Sequence, residues 1–181
     1  MKEVIGNLFC KLAVVTLLLV MSSGCTVHHV PNVNPVEAGA IPQIHGKGTI
    51  SIINAQEDMT VRDLGRAGFG TLQGDLYSWT EAAVAQIGTE VEKAGLKVQS
   101  NGNKSIKVTV VEVKLGVSGI DYVAAIAKGY VRIKVEAGDG YVKEYIGEKN
   151  ALQPPSACEN AMTEAVINIL LDAHIVTYLS Q

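Results

Sequence analysis

Residues 106–115 read IKVTVVEVKL, and apolar and polar side chains alternate along both halves of this stretch. Alternation with a period of two is the pattern of a β-strand that buries one face. The phase slips by one residue between Val110 and Val111, which would turn half of the strand toward water if the ladder continued unbroken. The stretch therefore predicts a strand with a β-bulge at its centre.

Further strands are predicted on both sides of this stretch. Residues 49–53 are rich in β-branched side chains, and residues 122–136 end in an alternation of apolar and charged side chains. Gly138-Asp139-Gly140 is typical of a hairpin turn, so residues 141–148 are expected to return as the next strand. A short strand at residues 96–99 is counted with the long strand after it. The alternation predicts that the second face of the sheet is in water.

The first predicted helix spans residues 75–94, which carry an apolar stripe with helical spacing. Its start is open between two signals, because Asp75 is a good N-cap residue and Ser78 with Glu81 fits a capping box. Gly95 follows at the position where helices commonly end in a left-handed residue.

A second helix is predicted after Pro154-Pro155, which is expected to break the chain. Ser156 with Glu159 fits another capping box, and the helix is expected to run to about Leu179. The predicted order is therefore β-α-β-β-β-α. Elements with one apolar face each pack most simply in two layers. The sequence predicts an α+β fold, a two-layer sandwich in which two helices cover one face of an antiparallel sheet of about four strands.

The start of the chain has the features of an export signal. Two lysines flank a polar start, and the uncharged run at residues 12–21 is about half of the ~20 residues that a membrane span needs. Ser22-Ser23-Gly24 and Cys25 follow, which is similar to the lipobox of bacterial lipoproteins, although Ser22 stands where that motif usually has Leu. The alternatives are a plain signal peptide and an N-terminal anchor helix. We expect residues 1–24 to be removed and Cys25 to carry lipid.

Residues 25–45 predict a tether between the lipidated cysteine and the folded domain, which is expected to span residues 46–181. The segment contains three prolines and no periodic apolar pattern, and as a coil it would span about 25 Å. His28, His29 and His45 lie in or beside it. No ligand-spaced cysteine or carboxylate accompanies these histidines, so no metal site is predicted.

Charge and cysteine content narrow the possible partners. The net charge is −3 and becomes −4 once residues 1–24 are removed, with no basic cluster. This excludes an electrostatic footprint for nucleic acid and a polybasic patch for anionic lipid. Cys158 would be the remaining thiol, so no internal disulfide is predicted. A lone cysteine of this kind is more often a small buried hydrophobic residue than a redox site.

The glycine-rich stretch at residues 65–74 follows a strand and precedes a helix, as a phosphate-binding loop does. Its spacing is neither that of a dinucleotide fingerprint nor that of a Walker loop, so phosphate binding is not expected. A long loop is expected instead, and such loops are often functional. Arg62, Arg66 and Phe69 combine charge and an aromatic ring there, and we take them as candidate contacts for a partner.

Tyr141 and Tyr145 lie on the predicted hairpin and are further candidate contacts. Tyrosines on a sheet are usually cross-strand packing pairs, and a face lined by tyrosines would alternatively suit a protein or a glycan. His174 is placed on the outer side of the last helix without an identifiable catalytic partner. No nucleophile elbow occurs, so neither an enzyme nor a cofactor is predicted.

Several strand and turn patterns are shared with a known family. Residues 117–119, 126–133 and 141–145 match best, and the match extends from residues 48–51 to the last helix. The chain resembles the YajG-type family of small outer-membrane lipoproteins. The resemblance implies an outer-membrane lipoprotein with a compact α+β domain and no established enzymatic activity. The residue after Cys25 is Thr26 and not Asp, which resembles the pattern of lipoproteins sorted to the outer rather than the inner membrane.

The predicted function is a non-enzymatic interaction or assembly module of the cell envelope. We expect it to be anchored to the outer membrane by lipid on Cys25, to face the periplasm, and to bind an envelope protein or peptidoglycan. The alternative is an auxiliary lipoprotein of lipid transport, with an acyl chain held between helices and sheet. Alanines that would leave such room, or equally allow close packing, are Ala82, Ala83, Ala124, Ala125, Ala161 and Ala165.

Overall fold

A computed structural model of the chain describes residues 25–37, 39–42, 44, 46, 48–67, 70–118 and 126–181. The predicted signal peptide lies outside these residues. The described strands are β1 Cys25–His28, β2 Thr49–Asn54, β3 Arg62–Ala67, β4 Gly70–Gly74, β5 Lys97–Val98, β6 Lys104–Ser118, β7 Ile126–Ala137 and β8 Val142–Ala151. The described helices are α1 Leu76–Lys93, α2 Pro154–Leu171 and α3 Ala173–Ser180.

The strands form one mixed, strongly curled sheet, in which the described residues contribute eight strands. The long strand β6 lies at its centre and pairs antiparallel with β7, which pairs antiparallel with β8. The other edge of β6 pairs in parallel first with β2 and farther along with β3. The prediction of a two-layer sandwich with about four antiparallel strands and two helices is therefore wrong.

The fold prediction failed at β1, β3 and β4, which come from the segments predicted to be a tether and a loop. β3 reads RDLGRA and β4 reads GTLQG, and neither has the apolar alternation that marks a half-buried strand. These strands exist because they pair with each other and with β1 and β6. The β3–β4 pairing is a local hairpin without apolar alternation, and the pairings with β1 and β6 join distant residues, so a local pattern reveals neither.

The predicted β-bulge in the central strand is confirmed. The register between β6 and β7 shifts between Val110 and Glu112, so both halves of β6 keep their apolar side chains inside. The backbone N–H of Val110 donates to Thr80 Oγ at 3.0 Å, and this hydroxyl donates in turn to the Leu76 carbonyl of α1. A buried threonine of the first helix thus satisfies the backbone beside the bulge.

The first helix is confirmed, and the structure decides between its two start signals. Asp75 is the N-cap residue, and its side chain accepts a hydrogen bond from the backbone N–H of Ser78 at 2.7 Å. Gly95 follows the helix with a φ of 96°, a left-handed conformation that costs glycine little.

The predicted start of the second helix is wrong. α2 begins at Pro154 after the N-cap Gln153, because prolines are tolerated in a first helical turn, where their missing N–H would have no partner. The predicted long helix also ends at Leu171, and Asp172 caps the short helix α3. No single described helix is long and apolar enough to cross a membrane, although the pair α2 and α3, bent by 63°, passes that test together by length and composition alone.

Helix α2 packs directly against the backbone of β7 and β8. A Cβ atom on Gly147 would lie 1.9 Å from the Ala161 carbonyl oxygen, and one on Gly129 would lie 2.2 Å from the Ala157 oxygen. The facing positions of the helix are small, and Ala157, Ala161 and Ala165 are fully buried. Two strand glycines and small helix residues thus bring the layers so close that this interface leaves no space for an acyl chain.

The segment for which the sequence predicts a tether lies on the domain in its described residues. β1 extends the sheet by pairing in parallel with β4. His29 Nε2 lies 3.0 Å from Glu159 Oε1, which also accepts from the Asn32 backbone N–H at 2.9 Å. Gln86 of α1 donates to the Asn34 carbonyl at 2.6 Å. These bonds hold the segment across both helices.

Candidate functional site

The sheet carries an open groove of about 820 Å³ between β3 and β6. Its described walls come from three regions of the chain, namely β3, the second half of β6, and the paired ends of β7 and β8. Its lining residues include Arg62, Arg66, Leu115, Lys128, Tyr130 and Glu148. A smaller hollow of about 460 Å³ lies where α2 meets the segment around Pro35.

The groove exists because the two parallel partners of β6 do not meet. β2 follows β6 only as far as the pair Asn54 and Val108, and β3 joins it only where Gly65 lies opposite Leu115. Over residues 109–114 no described strand pairs with this edge of β6, but Val110 is already engaged, because its N–H donates to Thr80 Oγ and its carbonyl accepts from Gln56 Nε2 at 2.9 Å. The open part of the edge is therefore residues 111–114. The pairing of β3 with β6 requires glycine at position 65, since the φ of Gly65 is 131° and a Cβ there would lie 2.0 Å from the Leu115 carbonyl oxygen.

Both signs of charge line the groove. Lys128 Nζ pairs with Glu148 Oε2 at 2.6 Å, and Lys114 pairs with Glu112. The hydrogen bond from Lys114 holds the pKa of Glu112 below its usual value. Arg62 pairs with Asp58 outside the groove. Arg66 is exposed and makes no ion pair within the described part of the chain, so its guanidinium is free to meet a ligand there.

Beneath these charges the groove reaches the edge of the apolar core. Leu64, Leu76 and Leu115 line it and are 3%, 5% and 6% exposed. The ring of Tyr130 is half-buried on the outer side of β7. A charged rim above an apolar and aromatic floor can bind an extended ligand by several weak contacts together.

The structure separates the candidate contact residues that the sequence indicates. Arg62 and Arg66 both lie on β3 and line the groove, as expected for neighbours on one segment. Phe69 lies outside the described residues. Tyr141 and Tyr145 lie on β8 or just before it, at the far end of the sheet. The backbone of Cys25 begins β1 opposite Gly70.

The hairpin tyrosines belong to packing and to a polar network. Tyr145 is 5% exposed on the same face of β8 as Gly147, and burial raises the pKa of its hydroxyl. The Tyr141 hydroxyl donates to Asp172 Oδ2 at 3.1 Å, and its ring stacks on His174 with centroids 4.0 Å apart. Tyr145 therefore offers no side chain to a partner in this structure, and Tyr141 is already engaged.

Asp172 is the centre of that network. Burial by itself raises the pKa of this carboxyl, but hydrogen bonds from Lys143 and from the backbone N–H groups of Ile175 and His174 outweigh burial and lower the pKa to about 2. Lys143 Nζ lies 2.6 Å from Asp172 Oδ2. His174 pairs on its other side with Asp139 at 2.7 Å. The network joins the β7–β8 hairpin to α3 and is structural.

Sequence reasoning missed most of the groove, because its lining residues lie far apart in the chain. Lys114, Lys128, Tyr130 and Glu148 meet only after β6, β7 and β8 pair. The available signal was their outward position in the strand alternation, which marks exposure but no shared site. Among the described residues, no group of three or more His, Cys, Asp or Glu side chains is arranged to hold a metal ion.

Comparison with known proteins identifies a protein with a similar fold and gives no information on activity. Neither a family model nor a curated protein matches the chain. The structure is similar to the crystal structure of protein XCC0632 from Xanthomonas campestris, which carries the family description DUF330, with a TM-score of 0.54 and 11% sequence identity. The likeness covers 83% of this chain and 96% of that chain. At this identity it shows that the two chains share a fold.

Proposed function

We propose that the protein is a non-enzymatic interaction module of the cell envelope, anchored to the outer membrane by lipid on Cys25 and facing the periplasm. Its groove between β3 and β6 would bind an extended segment of another envelope protein. The observation that carries the proposal is the split in the sheet, which leaves residues 111–114 of β6 without a described neighbouring strand. The lipobox-like sequence before Cys25 and the resemblance to the YajG-type family support the location.

The groove suits a polypeptide better than a glycan. An open strand edge can accept another strand, and its main-chain hydrogen bonds are then supplemented by side-chain pockets. The rim offers Arg66 together with the Lys128–Glu148 pair, so a segment that carries an acidic residue can replace water on the free guanidinium. Carbohydrate sites more often present stacked aromatic rings, and Tyr130 is the described aromatic residue of this lining.

Lipid carriage, the alternative function, draws less support from the packing. An acyl chain between helices and sheet needs a gap, and α2 meets β7 and β8 at backbone contact through Gly129 and Gly147. Ala161 and Ala165 are fully buried in this contact rather than lining a void. We therefore propose the interaction module and leave lipid carriage without a specific site.

Site-directed photocrosslinking in cells tests the proposal. A benzophenone amino acid replaces Arg66 or Lys128 in the groove, and Glu92 on the exposed side of α1 is the matched control position. Groove binding predicts that mass spectrometry recovers one and the same envelope protein from both groove positions and not from position 92. The proposal is contradicted if all three positions give the same products, or none, or if the product collapses on digestion with a muramidase and so is peptidoglycan.

A further inference from the structure

One row of residues crosses most of the sheet at the level of Cys25. Cys25 lies opposite Gly70, and Gly70 lies opposite Ala67. β3 joins β6 in parallel at Gly65 and Leu115, so the level of Ala67 on β3 corresponds to that of Val117 on β6. The row then continues through two further antiparallel pairs, Val117 with Ala127 and Ala127 with Ala151. We call this side of the molecule the anchor end.

No spacer separates Cys25 from the sheet. Residues 25–28 pair with residues 70–73 of β4, and the ladder continues as the His29 backbone N–H donates to the Gln73 carbonyl at 2.8 Å. The Glu159 carboxylate then holds His29 and Asn32. A lipid on Cys25 therefore starts at the edge of the folded domain, and not about 25 Å away as a coil of this length would allow.

Apolar side chains are exposed beside this row. Leu152 directly follows the row residue Ala151 and is 82% exposed, the highest value among the large hydrophobic residues described. Val27 is two residues from Cys25 and 49% exposed, and Ile126 is next to Ala127 and 38% exposed. The opposite end carries the polar turns around Asn101 and Asp139. Exposed apolar side chains alone do not distinguish the two ends, because Val142 and Leu171 near the opposite end are 52% and 50% exposed. The anchor end is distinguished by Leu152, the most exposed of these side chains, next to the row that contains Cys25.

We infer that the anchor end rests on the membrane leaflet that holds the lipid of Cys25, with Leu152 inserted at its surface. The inference rests on the proposed lipid anchor and deepens it by giving the domain one orientation. Burial of a leucine side chain in an apolar phase is favourable, and this is sufficient to orient a domain that is already tethered. The acyl chains supply the affinity, and the position of Cys25 in β1 together with Leu152 supplies the direction.

The orientation also limits which partner can reach the groove. Gly116 and Lys128 face each other across β6 and β7, one residue from the row, and both line the groove. The groove therefore opens close to the leaflet. A bound polypeptide segment has to approach along the membrane surface, as the membrane-proximal part of another envelope protein would.

Depth-dependent fluorescence quenching tests the orientation on the lipidated chain. Leu152→Cys and, as the matched control, Asn101→Cys are each labelled with a thiol-reactive fluorophore. Strand β6, with 15 residues at about 3.3 Å per residue, separates these positions by up to roughly 45 Å. Native Cys158 is buried and its thiol pKa is raised, so it contributes little background. The proteins are then reconstituted in phosphatidylethanolamine–phosphatidylglycerol vesicles that contain nitroxide-labelled lipid.

We expect the label at position 152 to lose most of its fluorescence and the label at position 101 to lose little. Equal quenching, or stronger quenching at position 101, overturns the orientation. Flotation of the same samples separates this failure from failure of the anchor. A chain that floats with vesicles but shows no difference refutes the orientation alone, and a chain that does not float, like a Cys25→Ser control, refutes both proposals.

Discussion

Burial raises the pKa of the Cys158 thiol to about 12, and the neighbouring Glu159 carboxylate acts in the same direction. The residue is fully buried in α2 between small neighbours, and its Sγ lies 3.6 Å from the Lys114 carbonyl oxygen. The nucleophilic form of cysteine is the thiolate, and with this raised pKa the thiolate is scarcely populated at neutral pH. Cys158 therefore acts as a small hydrophobic residue, as the sequence indicated.

This predicts that Cys158 is unreactive in the native protein. The folded protein is treated with iodoacetamide at pH 8 in native buffer, and the peptide that contains Cys158 is then examined by mass spectrometry. We expect this peptide to be unmodified after native labelling and fully modified after labelling in guanidinium chloride. Rapid modification in native buffer would show that α2 does not seal the thiol.

Asp172 contributes stability through its ionised form. Its pKa in the folded state is about 2, below the ordinary value of 3.8, so the stabilisation is present above about pH 4 and is lost as the pH falls toward 2. Each pKa unit corresponds to ~1.4 kcal/mol, and Lys143 is half exposed, so we expect a net contribution of about 1–2 kcal/mol.

The variant Asp172→Asn tests this contribution, because asparagine can still cap α3 but cannot pair with Lys143. At pH 7 its free energy of unfolding should be lower than that of the native chain by about 1–2 kcal/mol in urea titrations. At pH 2.5 the difference should shrink. A difference that does not change between the two pH values would contradict the ionic account.

At the scale of elements, the contact of α2 with β7 and β8 organises the core. Gly129 and Gly147 allow the α2 backbone to approach the sheet closely, because a Cβ atom on either glycine would collide with it. The dispersion contacts between α2 and these two strands depend on this close approach. The contact also fixes Glu159, which in turn holds the N-terminal segment through His29. A disturbance of this interface should therefore affect the whole domain.

We expect Gly147→Ala to destabilise the protein by about 3 kcal/mol, because its Cβ would meet the helix backbone at 1.9 Å. Gly116→Ala is the matched control, since a Cβ on this strand glycine would meet nothing within 4 Å. Its effect should stay within about 1 kcal/mol. Thermal and urea unfolding measure both. Equal losses for the two variants would contradict the close-packing account.

Elements whose signals are local could be predicted from the sequence. The α1 helix follows from its apolar stripe and Gly95, and the bulge at Val110 follows from the phase slip. The start of α2 at Pro154 was missed because a proline pair can either break the chain before a helix or occupy the first turn of that helix. β3 and β4 were missed because neither has apolar alternation, and because Gly65 pairs with Leu115, which is 50 residues away.

The candidate site was predictable only in part, for the same reason. Arg62 and Arg66 were found because both lie on one short segment. Tyr145 was a candidate because its residue type suits a partner surface, but the strand phase turns it toward α2. The groove itself is a property of strand pairing, because it lies where β2 and β3 fail to meet along β6.

At the scale of the whole molecule, the two proposed functional features lie at one end of the sheet. The anchor end carries Cys25, Leu152 and the nearby groove, and the opposite end carries Asp172 and its network. β1 connects the proposed lipid to this frame, since it makes the first residues after the cysteine part of the sheet. In the proposed arrangement, β1 therefore fixes the position of the groove relative to the lipid on Cys25.

Cys25 begins a strand of the folded domain, so the residues that follow it should be protected as part of the sheet. Hydrogen exchange of the lipidated protein, followed on a peptide covering residues 26–36, measures this protection. We expect slow exchange at the His29 and Asn32 amides, which donate to the Gln73 carbonyl and the Glu159 carboxylate, and faster exchange at Asn32 in Glu159→Ala. Exchange of the whole peptide at the rate of an unstructured chain would contradict it and would restore a free tether between lipid and domain.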